Sequence, residues 1–171
     1  MADNYSFKDY DKEHMARAIG RSLPISFKQS VEICNLIRNK DLRYAKGVLK
    51  RVMEHREAVP FRRFRHNIGH KRKIGVGRYP GKASEEILKL ISSAEANAQF
   101  KGINTSNLVI NRIIANKAAK TMRIGSKRSR RAKRTNIEIV VQEKAAKTDE
   151  KERNRQASAK KADAAMEKSK K

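Results

Sequence analysis

The chain has 171 residues, of which 42 are Lys or Arg and 18 are Asp or Glu, so its formal net charge is +24 at pH 7. This charge argues against a self-contained globular enzyme, because like charges repel in a compact state, and it predicts an abundant polyanion as partner. The hydrophobic content of 38%, without tryptophan, is enough for one modest core. We therefore expect one domain with extensions.

Cys34 is the only cysteine, which excludes an internal disulfide or a thiolate-based zinc cluster within the chain and is compatible with a reducing compartment. We expect Cys34 to fill the core. The first fourteen residues are polar and rich in acids, unlike a targeting leader, and no segment approaches the roughly 18 uninterrupted apolar residues that a membrane span needs. The prediction is a cytoplasmic protein that does not associate with a membrane.

The first half of the chain predicts an N-terminal arm followed by two helices. Residues 1–24 show no sustained hydrophobic period and are assigned to the arm. Ser26 opens a capping-box pattern with Gln29, and apolar residues then recur at helical spacing until about Asn39. Asp41 is placed to cap a second helix with one apolar and one basic face. The tight link between these two helices predicts an αα-hairpin.

The middle of the chain predicts a loop and then a third helix. Residues 61–82 contain eight Lys or Arg, no acid and four glycines, which favours an extended loop. Ser84 and the two glutamates after it suit the start of a helix. Gly102 followed by Ile103 predicts that this helix ends in a Schellman motif.

Two segments near the C-terminus predict paired strands. Residues 108–116 are rich in β-branched side chains, and residues 136–142 alternate between two faces, with Ile137, Ile139 and Val141 on one of them. Between them, nine of the nineteen residues of 117–135 are Lys or Arg, whereas hairpin loops are commonly about two to five residues long. If the strands pair, this stretch forms two arms of about nine residues, each roughly 30 Å long.

This organisation predicts a domain over residues 25–143 that includes an extended hairpin over 108–142. The remaining segment, 144–171, is a basic tail rich in Ala and Lys, with one large apolar residue, Met166. Because no face of it can be buried, we expect it to be disordered or helical only on a binding surface.

The basic hairpin carries the strongest functional signal, because nucleic-acid phosphates are the common host for closely spaced Lys and Arg. A solvated loop or a localisation signal is the alternative, but the latter needs only about five to eight residues. Our candidate RNA-binding residues in the hairpin arms are Lys117, Lys120, Arg128, Arg130, Arg131, Lys133 and Arg134, together with Arg123 and Lys127 nearer the turn.

Residues 61–82 supply a second set of candidate RNA-binding residues, namely Arg62, Arg63, Arg65, His66, His70, Lys71, Arg72, Lys73, Arg78 and Lys82. Phe61 and Phe64 either stack on unpaired bases or anchor the segment to the core, and the need of a small domain for buried aromatic rings favours the anchor. His66 and His70 are four apart, but Gly69 interrupts any helix and no cysteine or carboxylate is nearby, so we expect phosphate contact and no metal.

No motif indicates an enzyme or a cofactor. The glycines of GVGRYPG resemble a phosphate-cradling loop only weakly, since a Lys-Ser/Thr pair and a full dinucleotide fingerprint are lacking. We also find no nucleophile triad and no pair of carboxylates in a context for acid–base catalysis. The expectation is a non-enzymatic protein without cofactor or metal.

Four ordered segments resemble one known family. They are ARAIGRSLPISFKQ, AVPFRRFRHNIGHKRKIGVGRYPGK, AEANAQFKGIN and NIEIVVQEK. Together they are similar to the universal large-subunit ribosomal protein family numbered twenty-two in bacteria and seventeen in eukaryotes. The forms VPFRRF and GRYPGK resemble its archaeal and eukaryotic branch.

The resemblance implies an α+β fold, with three helices packed on a small antiparallel sheet, a long extended β-hairpin and a basic C-terminal tail. It further implies that the hairpin lies between ribosomal RNA segments and lines the nascent-peptide exit tunnel. The implied partners are large-subunit ribosomal RNA, neighbouring proteins near the tunnel exit and the nascent polypeptide, without homo-oligomerisation. The hairpin tip would comprise Met122, Arg123, Ile124, Gly125, Ser126 and Lys127, although the family's usual Arg-Ala-x-Gly-Arg segment differs here.

Two alternatives remain at this point. A non-ribosomal protein that compacts nucleic acid would use the same charge, but it would leave the four ordered segments as coincidence. An enzyme acting on RNA would require a catalytic constellation that the sequence lacks.

Overall fold

The computed structural model describes residues 5–144, and this part of the chain contains three α-helices and six strands. In chain order they are β1 (Met15–Leu23), α1 (Phe27–Ile37), α2 (Leu42–Met53), β2 (Val59–Pro60), β3 (His70–Lys71), β4 (Gly75–Arg78), α3 (Gly81–Phe100), β5 (Leu108–Lys117) and β6 (Thr135–Glu143). The predicted α+β class with antiparallel sheets is confirmed. Most of the predicted tail, residues 145–171, lies outside the described part, and the domain limits stay a prediction.

The main sheet has the strand order β1-β6-β5, with β6 antiparallel to both neighbours. Helix α3 packs on β1 and β6, α1 packs on β5, and α2 packs on α3. The helices therefore cover one face of the sheet. The predicted alternation of β6 is correct, since Ile137, Ile139 and Val141 are fully buried in this core. Each such side chain contributes about 1.5–3 kcal/mol of burial free energy.

The prediction of an arm over residues 1–24 is corrected by the structure, because residues 15–23 form the edge strand β1. Ala16, Ala18 and Gly20 are opposite Val141, Ile139 and Ile137 of β6, so small residues line the inward face. These residues leave room for α3 but give a weak hydrophobic alternation. The weak alternation is the reason that the sequence did not predict this strand. Its pairing partner β6 lies more than a hundred residues away, so no local pattern indicates the pairing.

Residues 5–10 contact the second face of the main sheet. The backbone N–H and the hydroxyl of Ser6 both donate to Glu138 Oε2, at 2.9 and 2.5 Å. Phe7 lies under the guanidinium of Arg112, 5.5 Å from its ring centroid. Glu138 and Val140, which the alternation places on the face opposite the core, are consequently buried as well.

The helix ends differ from the predicted capping. Ser26 and Asp41 precede α1 and α2 as expected, but neither side chain makes a cap hydrogen bond. Helix α3 begins at Gly81, so Ser84 lies within its first turn, where its buried Oγ has no hydrogen-bond partner among the described residues. The Schellman end is confirmed, since Gly102 has φ +74° and the N–H of the next residue donates to Ala98 O at 3.1 Å.

Residues 61–82 are not simply an extended loop, because β4 joins β2 and β3 in a small antiparallel sheet. Val59 is opposite Arg78, and His70 is opposite Val76. Gly77 allows this close pairing, since a Cβ there would lie 3.2 Å from Val59 O. Part of the glycine-rich segment thus forms a strand.

No helix within residues 5–144 has the length and apolar character needed to cross a membrane. Cys34 is buried in the core as expected. Burial raises the pKa of its thiol to about 12, so the side chain stays protonated and unreactive at neutral pH.

Candidate nucleic-acid interface

The basic stretch 117–135 continues the β5–β6 pairing as a hairpin. The regular ladder ends at the pair Lys117–Thr135. Beyond it, the Ala132 N–H donates to Thr121 O at 2.8 Å and the Arg123 N–H donates to Arg130 O at 3.0 Å. The two arms therefore remain paired by occasional backbone hydrogen bonds, although they are not continuous strands.

A short 3₁₀ turn, Gly125–Lys127, closes the hairpin. Gly125 has φ +79°, a conformation that favours glycine, and its carbonyl accepts the N–H of Arg128 at 3.1 Å. The turn lies between the paired residues Arg123 and Arg130 and comprises 124–129. Met122 and Arg123, which we assigned to the tip, belong to a paired arm, so the tip lies slightly further along the chain than predicted.

The nine cations of the hairpin stretch are available to a ligand. All are exposed except Arg134, which is half-buried and donates through Nη1 to Ser22 O at 3.2 Å. Within residues 5–144 none of them forms an ion pair, whereas the ion pairs there involve α2, the turn after it and α3. Unpaired, solvated cations can exchange their counterions for phosphates, which is the main source of nucleic-acid affinity.

Two adjoining open grooves, of about 420 and 380 Å³, lie between the base of the hairpin and the start of α1. Lys82 at the start of α3 reaches the first of them, although it is more than thirty residues from the hairpin in sequence. The cations that line the two grooves are Lys28, Lys82, Lys117, Lys120, Arg123, Lys133 and Arg134. Six of these were predicted as RNA-binding or tip residues, and Lys28 was not.

Phe27 at the start of α1 lies between the two basic segments. Its ring meets the ring of Phe64 edge-to-face with centroids 6.3 Å apart, and the Lys117 ammonium lies 5.5 Å from its centroid. Phe61 is buried and Phe64 is half-buried against the core. These rings anchor the segment after β2, in agreement with the favoured alternative, and leave Arg62, Arg63 and Arg65 exposed.

Glu32 on α1 organises this arginine-rich segment, and the sequence analysis did not identify it. The side chain is 1% exposed. One carboxylate oxygen accepts the N–H groups of Arg63 and Phe64, at 2.9 and 3.1 Å, and the other accepts that of Arg62 at 3.2 Å. Its only sequence signal is a single acid within the apolar pattern of a helix. A buried carboxylate thus fixes the backbone from which three arginines project.

The remaining candidates of residues 61–82 are exposed but lie apart from the hairpin grooves. They are His66, His70, Lys71, Arg72, Lys73 and Arg78. Lys71 ends β3, and Lys73 lies within the tight turn to β4, where it has φ +68°. Among residues 5–144 no three His, Cys, Asp or Glu side chains come together in a way that could hold a metal ion. The RNA contacts of all these residues stay predictions.

Comparison with known proteins identifies archaeal relatives of this chain. Each of the three archaeal relatives named below is described as large ribosomal subunit protein uL22. The protein of Archaeoglobus fulgidus is 44% identical over 110 residues, covering 63% of this chain and 71% of its own length. That of Methanoculleus marisnigri is 39% identical over 139 residues, covering 77% and 91%. That of Cenarchaeum symbiosum is 36% identical over 146 residues, covering 81% and 96%.

The match also extends to a family description. The family model of ribosomal protein L22p/L17e matches residues 18–142, well over half of the chain and nearly the whole of the described fold from β1 to β6. The archaeal origin of these relatives agrees with the branch indicated by VPFRRF and GRYPGK. The chain therefore belongs to the ribosomal protein L22p/L17e family, whose members are structural proteins and not enzymes.

Proposed function

We propose that this protein is a structural component of the large ribosomal subunit that binds ribosomal RNA through its basic hairpin and the arginine-rich segment after β2. Family membership and the names of its relatives support the ribosomal role. The observation that carries RNA binding is the hairpin stretch 117–135, whose nine cations have no acidic partner within residues 5–144. Such a surface needs phosphates to neutralise it.

The hairpin tip supports the further proposal that it lines the nascent-peptide exit tunnel. Ile124 in the turn is 98% exposed, and Met122 in the adjoining arm is 58% exposed, although both are large apolar side chains. Exposed apolar residues among cations gain nothing from phosphate contact, but they can form the wall of a channel through which a polypeptide passes. The arms would then contact RNA phosphates, and the tip would face the peptide.

The other partners follow from this position. The protein works in the cytoplasm as part of the large subunit, where it contributes to translation and assists assembly by holding several RNA segments together. Neighbouring ribosomal proteins contact its globular part near the tunnel exit, and the protein is present as a single copy. The ion-paired surface of α2 and α3, which carries no excess of free cations comparable to the hairpin, is suited to solvent or to a protein neighbour.

Gradient sedimentation of a cell extract, at moderate and then high salt, tests this proposal. The expected result is co-sedimentation with the large subunit, with crosslinks from residues 117–135 to ribosomal RNA. Migration with DNA would instead favour a nucleic-acid-compacting protein, and migration as a free small protein would contradict both roles.

A pair of charge-matched variants makes the test specific to the hairpin. The first replaces Arg128, Arg130 and Arg131 by Gln, and the control replaces the exposed cations Arg43, Lys50 and Lys89 of α2 and α3 by Gln. Each variant loses three positive charges. We expect the hairpin variant to be incorporated less well, or lost at lower salt, while the control stays with the subunit. Equal behaviour would show that only net charge matters.

A further inference from the structure

A third cationic groove, of about 570 Å³, lies beside the edge strand β1. The N-terminal segment contributes Tyr5, Tyr10 and Lys12 to its lining, β1 contributes Arg17, and the end of α3 contributes Phe100 and Lys101. The groove is thus built from three parts of the chain. It contains none of the candidate RNA-binding residues of the sequence analysis.

Two of the three cations of this groove, Arg17 and Lys101, are held in fixed positions. The Arg17 guanidinium lies 4.1 Å from the ring centroid of Tyr5 and 4.5 Å from that of Tyr10. Lys101 Nζ donates to the Tyr10 hydroxyl at 2.5 Å and to the carbonyls of Lys12 and Met15 at 3.1 and 3.0 Å. These contacts hold Arg17 and Lys101 in place as fixed positive charges, and they use all three N–H donors of Lys101 within the chain.

Phe100 is the residue of the groove whose exposure the fold does not explain. Its side chain is 93% exposed, although it is the last residue of α3 and stands beside positions where the chain buries apolar residues. An exposed ring next to fixed cations matches the chemistry of an unpaired nucleotide, whose base stacks on an aromatic face while its phosphate meets Lys or Arg.

We propose that this groove binds an unpaired nucleotide of an RNA strand, with its base stacked on Phe100, its phosphate in contact with the exposed Lys12, and the fixed charge of Lys101 nearby. The inference rests on the proposed function, since it takes RNA as the partner. Asp9, Asp11 and Glu13 lie on the same N-terminal segment and offset its cations, so stacking, and not charge alone, must supply the affinity. A protein neighbour is the competing occupant and forms one outcome of the test.

The location makes this a separate contact from the hairpin. The groove lies near Arg17 of β1, whereas the opposite end of the strand, Leu23, pairs with Thr135 at the hairpin base. Six residues of strand at about 3.3 Å each separate the two sites by roughly 20 Å. One molecule could therefore hold two distinct RNA segments.

The first experiment uses the full chain and a short uridine-rich RNA that contains one 2-aminopurine, whose fluorescence is quenched by stacking. Residues 117–135 contain no aromatic side chain, although Phe27 lines one of the hairpin grooves. Phe27 is unchanged in every variant tested, so quenching that depends on position 100 reports on this groove alone. We expect Phe100→Leu to relieve the quenching and to weaken single-strand binding about fivefold or more, with duplex binding unchanged. Tyr44→Leu, at a half-exposed ring on α2, is the control and should change neither.

The second experiment places the photoreactive residue benzoylphenylalanine at position 100 and irradiates isolated large subunits. An adduct with RNA is expected. An adduct with a protein, or none, would overturn the inference, as would quenching that Phe100→Leu leaves intact. Neither failure would contradict the proposed function as long as the protein sediments with the large subunit, whereas absence from the subunit would contradict that function itself.

Discussion

Glu32 shows how one side chain can position several others. The carboxylate is almost fully buried and satisfies three backbone N–H groups of the segment after β2. A buried carboxylate is costly unless it is hydrogen-bonded, and here the backbone donors meet that requirement. The arginine side chains at these positions are left free for phosphates.

Glu32→Gln should lower the free energy of unfolding by about 1–3 kcal/mol, because an amide NH₂ replaces one acceptor and faces an N–H donor. Chemical denaturation measures the loss. The same variant should weaken RNA binding, since the arginines then project from a looser backbone. Glu95→Gln is the control, because Glu95 makes one partly exposed ion pair with Lys46, and exposed pairs contribute only about 0.2–1 kcal/mol. An equal effect of the two substitutions would contradict the positioning role.

Cys34 predicts a pH dependence of stability. Its pKa is about 12 in the folded protein, above the ordinary value of 9.0, because burial disfavours the thiolate. Above pH 9 the folded state therefore keeps a proton on Cys34 that the unfolded chain loses. The stability of the folded state is thus unaffected by this thiol below pH 9 and falls as the pH rises towards 12. Relative to Cys34→Ala, the unfolding free energy should fall by about 1.4 kcal/mol per pH unit between 9 and 11. Parallel pH profiles of the two proteins would contradict this expectation.

The hairpin consists of two strands that are anchored in the core and a basic part that projects beyond them. Strands β5 and β6 are anchored in the core up to the pair Lys117–Thr135, and the Thr135 hydroxyl donates to Ile25 O at 3.0 Å. Beyond this pair the arms make few contacts with the domain and are almost entirely exposed. Folding of the domain should therefore not depend on residues 118–134.

Replacing residues 118–134 by Asn-Gly, a sequence that favours a two-residue hairpin turn, should leave a cooperatively folding domain. Thermal unfolding followed by circular dichroism tests this expectation. The variant lacks eight Lys or Arg, so the slope of log affinity against log salt for RNA should be smaller by up to about 6–7. A variant that fails to fold would show that the arms contribute to the core. An unchanged slope would show that the RNA contacts lie outside residues 118–134.

At the scale of the whole molecule, charge is distributed unevenly. Lys46, Arg51, Arg56 and Lys89 have acidic partners on or next to α2 and α3, whereas the hairpin cations have none within residues 5–144. The molecule therefore presents a partly neutralised helical surface and a strongly basic hairpin. If the protein binds RNA as proposed, this polarity should turn the hairpin towards the polyanion.

The full chain should accordingly bind RNA with a steep salt dependence. If about ten phosphates are neutralised, the slope of log affinity against log salt lies near −7 to −9. Filter binding over a series of salt concentrations measures it. A slope near zero would contradict an electrostatic interface.

Much of this fold was accessible from local sequence patterns. Helical apolar spacing identified α1, α2 and α3, alternation identified β6, and Gly102 marked the end of α3, because these signals depend on residues within a few positions of one another. The basic stretch between two strands likewise identified the hairpin. The family resemblance added the ribosomal context, which the comparisons support.

The sequence by itself determined the helices, the hairpin strands and the excess of positive charge, since composition and short periods encode them. Only the tertiary structure decided that residues 15–23 form an edge strand, that Glu32 holds the arginine-rich segment and that Lys82 joins the hairpin grooves. These features depend on contacts between distant residues, such as Ser6 with Glu138 across 132 positions. Such contacts form only when the core brings the elements together, so no local pattern records them.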